Sequence, residues 1–233
     1  MSTFCADISR QNKEAFIGSA SPFRFCLAIE YRGTWGKNAF IESTIPEEVK
    51  KHILRLYDLD CDVRIQVIQK DPLRKSKKTL FWADTNPAKP HLWQYQFEEY
   101  EELLAFDFPS FIDIGVAKEF QLVPDTQFFI CTNGQHDPCC AKYGATLFNE
   151  VTGKYKHVWQ TNHLGGDRFA ANVLCLPHGI YYRRIDQESL GAIIKAHLEN
   201  KLYLPNFAGH STYPREVQVA EYFIREKTKK TTL

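Results

Sequence analysis

The strongest constraint on this chain lies in its second half, where short apolar runs and helix-like patterns alternate in a fixed order. Thr126–Ile130 (TQFFI) is apolar and aromatic, reads as a strand, and runs straight into Cys131. Cys139–Val151 then has helical spacing, with Ala141, Tyr143, Leu147 and Phe148 available for a buried side. Lys156–Thr161 is a second strand, ending at Asn162-His163. Ala171–Leu176 is a third, Pro177-His178-Gly179 turns the chain, and Ile180–Ile185 returns as a fourth. A helix follows through Leu190, Ile193, Ile194 and Leu198, with Asp186 as N-cap and Glu188 in its first turn. Pro214–Glu226 is a last helix after a Gly-His-Ser-Thr-Tyr turn.

Strand–helix–strand, hairpin, helix is the order of a thioredoxin-like α/β domain, and residues 123–233 are expected to form one. Residues 1–122 read as a separate α/β N-terminal half packed with it. That half offers strands at Phe25–Tyr31, Val63–Ile68 and Thr79–Trp82, and a weaker alternation over Leu92–Phe97. A helix is expected to start at Ile45-Pro46-Glu47-Glu48 and bury Val49, Ile53, Leu56 and Tyr57. Glu98–Ala105 begins another helical pattern that Pro109 interrupts. The stretch from Phe108 to Asp125 reads as the connection between the halves.

A net charge of +1 argues against nucleic acid as a partner, because phosphate binding needs a concentrated positive surface. The basic runs Arg74–Lys78 and EKTKK near the end read as solvated loop and tail. No apolar run reaches the roughly 20 residues needed to span a bilayer, and no membrane is expected as a partner. The opening residues MSTFCADISRQNKE lack a secretory pattern, so the chain reads as cytoplasmic. Seven cysteines in that compartment stay reduced, and three of them crowd into Cys131–Cys140, which points to metal or redox chemistry rather than stapling.

Cys131 closes a strand, and Cys139 and Cys140 open a helix. The loop between them is rich in Asn, Gly, Asp and Pro and can fold the sulfurs together. Unpaired N–H groups at a helix start favour thiolate over thiol, and thiolates are the preferred ligands of iron–sulfur clusters and of zinc. The second piece, Asn162-His163-Leu-Gly-Gly-Asp167-Arg168, also follows a strand; parallel strands would open both loops on one edge. Leu164 is placed to shield such a site, and Arg168 to pair with an anionic group. Each residue alone has a plainer role: Cys131 as a small buried hydrophobe, His163 bonded to a carbonyl, Asp167 capping a turn. Together, Cys131, a cysteine of the Cys139-Cys140 pair, His163 and Asp167 form a metal-ligand constellation. A mononuclear zinc site fits the same side chains. So does a cluster-free thiol–disulfide oxidoreductase, with Cys139 or Cys140 as nucleophile and Cys131 resolving it. A metal-free binding module is the third alternative. Cys26, Cys61 and Cys175 fall in or beside apolar strands and read as inert.

The segments CTNGQHDPCCAKYG (Cys131–Gly144), HLGGDRFAANVLCLPHGIYYRR (His163–Arg184) and STYPREVQVAE (Ser211–Glu221) resemble the sucrase/ferredoxin-like family. Phe4-Cys5-Ala6-Asp7 and Gly33-Thr-Trp-Gly36 extend the likeness toward the N-terminus. The resemblance implies a thioredoxin-like ferredoxin domain and a [2Fe–2S] cluster. Its ligands come from a cysteine pair in the loop, here Cys131 and Cys140, and from an H-x-G-G-H motif whose first histidine is His163. The chain departs from that motif at Asp167, the fourth-ligand candidate, and Cys139 is an extra thiol beside a ligand. The resemblance thus implies an electron carrier or redox sensor that works with a redox partner protein, rather than a self-sufficient enzyme.

Overall fold

The computed structural model describes residues 4–71, 73 and 75–233. Met1–Thr3 of the opening segment, and Pro72 and Arg74 of the basic loop, lie outside the described residues.

Ten strands form one mixed sheet: β1 Phe25–Glu30, β2 Val63–Gln69, β3 Lys78–Asp84, β4 His91–Phe97, β5 Gln121–Leu122, β6 Gln127–Cys131, β7 Val158–Thr161, β8 Val173–Leu176, β9 Ile180–Tyr182 and β10 Phe207–His210. Their spatial order is β10-β9-β8-β6-β7-β2-β1-β3-β4-β5. Among the described residues five α-helices accompany them: α1 Cys5–Gln11, α2 Glu47–Leu54, α3 Thr146–Val151, α4 Gln187–Leu198 and α5 Arg215–Thr228.

This architecture corrects the expected thioredoxin-like domain packed with an α/β N-terminal half. The sheet is a single curled, mixed half-barrel. The physical reason is the outer edge of β7. Instead of ending a small sheet, that edge pairs antiparallel with β2 through Ile68↔Thr161 and Gln69↔Gln160. Asn162 and the Thr161 hydroxyl add bonds to the Val67 backbone. Residues 121–123, expected in a connection, lie in the sheet: β5 pairs with β4, and the Val123 N–H donates to Leu92 O at 2.8 Å.

Alternation along the strands sorts their side chains onto two buried faces. Phe25, Leu27 and Ile29 of β1 join a core with Val49, Ile53 and Leu56 around α2, capped by Phe106, Phe108, Phe111 and Phe120. Cys26 and Ala28 point the other way, into a core shared with Phe129, Cys131, Leu174 and Tyr181 from the second half. Phe128, Ile130, Val173, Cys175 and Tyr182 face a third cluster with Leu190 and Ile193 of α4. Cys26 and Cys175 are fully buried, and burial pushes the Cys26 thiol up to about 12 and Cys175 well above its ordinary value.

Local structure departs from expectation where tertiary contacts override periodicity. The helix from Glu47 stops at Leu54 and tightens into a 3₁₀ turn over Arg55–Asp58, which leaves Tyr57 exposed. The 98–105 pattern forms a 3₁₀ helix over Tyr100–Ala105, closed by a Glu99/Glu102 capping box. Cys140–Ala145 winds as a π-helix before α3 begins. Asp186 caps α4 as expected, accepting from Ser189 N–H. Both β10 and α1 were not anticipated; α1 forms inside what reads as a polar lead-in, with Ala6 and Ser9 buried beneath it.

Candidate metal centre

The central strands β6 and β7 run parallel, with Cys131↔Thr161 in register at their C-terminal ends. Cys131 therefore emerges beside Asn162-His163, and both loops leave the same edge of the sheet. The helix turn carrying Cys140 returns over that edge because Gly144 lets its backbone approach. A Cβ on Gly144 would sit 1.8 Å from Cys131 O. A single π-helical turn inside a helix is a recurring feature of functional sites, since it re-aims one side chain without breaking the element.

Cys131 and Cys140 Sγ lie 3.3 Å apart, and His163 Nδ1 lies 3.6 Å from Cys140 Sγ. The three donor atoms fall within 4.8 Å of one another. Both cysteines are 1% exposed, so thiolates formed here are shielded from water on nearly all sides. His163 Nε2, on the far side of the ring, is 3.8 Å from Asp167 Oδ1. Three of the four expected ligands, Cys131, Cys140 and His163, thus come together, while Asp167 lies behind the imidazole, on the ring nitrogen turned away from the sulfurs.

The electrostatics follow from this crowding. The hydrogen bond with Cys140 holds the Cys131 thiol well below its ordinary value, against burial and with help from His163 and the Leu164 N–H. The same shared proton, and then burial, push Cys140 far up. The hydrogen bond between the two sulfurs thus favours thiolate at Cys131 and thiol at Cys140. A cation between them replaces that proton and makes both sulfurs anionic.

The His163 loop is rigidly held. Arg64 donates to His163 O at 3.0 Å, and Ser21 Oγ to Leu164 O at 3.1 Å. Asn172 donates to Gly165 O and Gly166 O, and Arg183 to Gly165 O at 2.6 Å. Gly166 has φ +71°, and a Cβ there would meet the Arg183 guanidinium at 2.7 Å. Leu164 is fully buried against the site, as anticipated. Arg168 is not turned toward it: its guanidinium pairs with Glu14 at 3.3 Å on the surface. Sequence reasoning assigned the site's cation to the wrong arginine, because the buried Arg183 sits in a strand-like run with nothing local to mark it.

His136 was also missed as a neighbour of the centre. Its ring stacks on His163 at 3.8 Å with the planes 17° apart. Both rings line a cleft of about 550 Å³ with Lys37, Asn38 and Arg64. Asp137 and Asp167 flank a further thiol pair, Cys5 and Cys139, whose Sγ atoms are 3.2 Å apart. Burial and the neighbouring Cys139 raise the Cys5 thiol to about 12.

Fold and site together define a curled mixed-sheet protein with thiol and imidazole donors gathered at one sheet edge. The profile of the sucrase/ferredoxin-like family matches residues 16–209, and the chain belongs to that family. No curated protein and no solved structure matches it. Among the described residues, no helix is long and apolar enough to cross a membrane.

The donor set fits a thiolate-ligated tetrahedral metal, the coordination that one iron of a [2Fe–2S] group shares with zinc. Two metal–sulfur bonds of about 2.3 Å in a tetrahedron put their sulfurs about 3.8 Å apart. The Cys131–Cys140 separation of 3.3 Å needs about half an ångström of relaxation to reach that edge. His163 Nδ1, 3.6 Å from Cys140 Sγ, adds a nitrogen donor to that edge, while Asp167 faces the ring's other nitrogen.

Proposed function

We propose that the protein binds a [2Fe–2S] cluster and works as an electron carrier or redox sensor. The observation that supports this most is the meeting of Cys131, Cys140 and His163, from two adjacent strand ends, within 4.8 Å. Cys131 and Cys140 would hold the cluster as a thiolate pair, with His163 beside them through Nδ1 and Asp167, on the Nε2 side of the ring, as the fourth candidate. Such a group supplies one-electron transfer when bound. The protein's part is to set its charge and its surroundings. Imidazole in place of a thiolate removes one negative charge and raises the reduction potential above that of an all-cysteine centre. Asp167 restores a negative charge through a harder oxygen donor, so this ligand set lies between the two extremes.

The His163 ring also connects the buried sulfurs to the cleft. Its side chain is 18% exposed, while the sulfurs are closed off. The ring is thus the part of the donor set that a partner docked in the cleft can reach. Lys37 and Arg64 outweigh Glu42 in the lining of this cleft, and the net positive charge suits a redox partner with an acidic contact surface.

Iron, acid-labile sulfide and EPR of the anaerobically purified protein test the reading. The expected result is equal iron and sulfide, a signal on reduction, and loss of all three in Cys131→Ser. Stoichiometric zinc without sulfide selects a mononuclear site instead. A protein free of iron and sulfide even after reconstitution ends the proposal.

A further inference from the structure

Cys5 lies outside the family match at residues 16–209, yet α1 carries it directly onto the site loops. The docking is built from specific contacts. Asp7 accepts from Lys142 at 2.9 Å and from the Tyr143 hydroxyl. Arg10 donates to Ala170 O and lies 4.2 Å over the Tyr143 ring. Arg184 reaches across to Ser9 O and Glu14 O. Ala6 packs against Cys139 and Ala170 in a small buried cluster of its own. The position of Cys5 is thus fixed by its neighbours, not left to a loose terminus.

There it completes a second set of donors. Cys5 Sγ, Cys139 Sγ and an Asp137 carboxylate oxygen fall within 4.8 Å of one another. Asp167 Oδ2 is 3.6 Å from Cys5 Sγ, while Oδ1 of the same carboxylate faces His163. The two short edges, 3.2 Å between sulfurs and 3.6 Å from sulfur to oxygen, approach the roughly 3.8 Å edge of a thiolate-ligated tetrahedron. Among the described residues, no lysine or arginine forms an ion pair with Asp137 or Asp167; Lys142 is taken by Asp7 and Arg168 by Glu14. Two soft donors and the Asp137 carboxylate therefore share one corner, with Asp167 against Cys5 at its edge and no lysine or arginine in ion-pair contact.

We propose that Cys5, Cys139 and Asp137, with Oδ2 of Asp167, form a second metal site that binds one thiophilic divalent cation of the zinc class. Asp167 joins it to the Cys131/Cys140/His163 centre, with one oxygen turned to each. Zinc is the fit because it accepts sulfur and oxygen donors in one tetrahedron and has no redox chemistry of its own. Binding releases the thiol protons and clamps α1 over the centre, tying its burial to occupancy of the second site. The site stands whether or not the first centre holds iron.

Cobalt(II) serves as the spectroscopic probe, in the full chain, under anaerobic conditions. The Cys131→Ser/Cys140→Ser variant removes the sulfurs of the first centre. It is expected to bind one equivalent of cobalt with intense thiolate-to-metal charge-transfer bands. Adding Cys5→Ser should remove roughly half of that intensity, one thiolate of two, and weaken binding tenfold or more. Charge-transfer bands that are absent, or indifferent to Cys5, overturn the proposal. Should circular dichroism show the double variant unfolded, Cys5→Ser alone is compared with the otherwise unaltered chain. Loss of one cobalt equivalent with unchanged iron content then supports the site, and unchanged cobalt stoichiometry overturns it. Alkylation of Cys5 gives an independent readout: zinc should slow it at least tenfold, and no protection overturns the assignment. A Cys5–Cys139 disulfide in carefully reduced, zinc-supplied protein likewise overturns it.

Discussion

Replacing Gly144 with alanine adds one methyl group at the tightest contact beneath the metal centre. The new Cβ would lie 1.8 Å from Cys131 O and 3.0 Å from the carbonyl carbon. Both are backbone atoms of β6, held by the ladder with β7 and β8, so no rotamer relieves the clash. Restoring ordinary contact, from 1.8 Å to about 3.4 Å, opens the gap by about 1.6 Å. If the turn carrying Cys140 moves as a body, the sulfur separation grows from 3.3 Å toward about 4.9 Å, beyond a shared-metal edge of about 3.8 Å. Overpacking a core costs about 1–3 kcal/mol, and a contact that side chains cannot absorb belongs at the upper end. At about 3 kcal/mol the melting temperature of a chain this size falls by roughly 6–12 °C. Differential scanning calorimetry and iron–sulfide analysis of Gly144→Ala read both effects. An alanine variant with full iron content and an unmoved melting temperature would refute the claim that this close approach sets the ligand geometry.

Three further outcomes are expected. His163→Cys replaces an imidazole ligand by a thiolate and should lower the reduction potential by on the order of 100 mV; an unchanged potential by redox titration removes His163 from the ligand set. Gly191 sits inside α4, where a Cβ meets only the Tyr155 hydroxyl at 3.2 Å, so Gly191→Ala should stabilise the fold by about 0.5–1 kcal/mol, seen as a small rise in urea midpoint. Glu221 is held below the usual carboxylate range: burial raises it, but the His210 hydrogen bond and Arg225 outweigh burial. Its stabilisation is thus present above the usual carboxylate pKa and is lost as pH falls through the lowered folded value. Glu221→Gln should lower stability at neutral pH and flatten the acid limb of the urea midpoint against pH; parallel curves count against the pair.

Much of the site was visible in the residues because its chemistry is local. Cys131 and His163 each close a strand that its own composition announces, and parallel pairing of β6 with β7 brings the two loops to one edge. Asp186 and its helix were equally plain, since a cap is a contact between neighbours in sequence. What escaped depends on distant partners. The β2–β7 ladder joins residues about ninety positions apart through two register pairs, and no periodicity encodes which edge a strand will seek. The same holds for α1. Its seven residues are too few to be stable alone, and they form a helix because Ala6 is buried under Ala170 and Cys139. Cys5 was therefore legible as a thiol but not as a neighbour of Asp167. Tyr57 shows the opposite error: helical spacing placed it on an apolar face, and the 3₁₀ turn rotated it into solvent.

Arg183 links these levels. It is fully buried at the end of the β9 run, its guanidinium bonded to Gly165 O and Ser19 O, carbonyls that carry no full charge. Among the described residues no carboxylate pairs with it within ion-pair distance. Burial lowers its pKa to about 10, so it stays charged at neutral pH, with Cys131 and Asp167 among the groups whose negative charge favours that state. A buried cation without an opposing charge is costly, and the opposing charge here is the ligand set itself. Protonated thiols leave the arginine uncompensated. Thiolates that hold a cluster of net negative charge compensate it, while its hydrogen bonds fix the Gly165–Gly166 turn that aims His163 and Asp167. The buried charge is thus a physical reason for the ordered ligand loop and for thiolates rather than thiols at its side, and both depend on an arginine that only the folded sheet brings to the site.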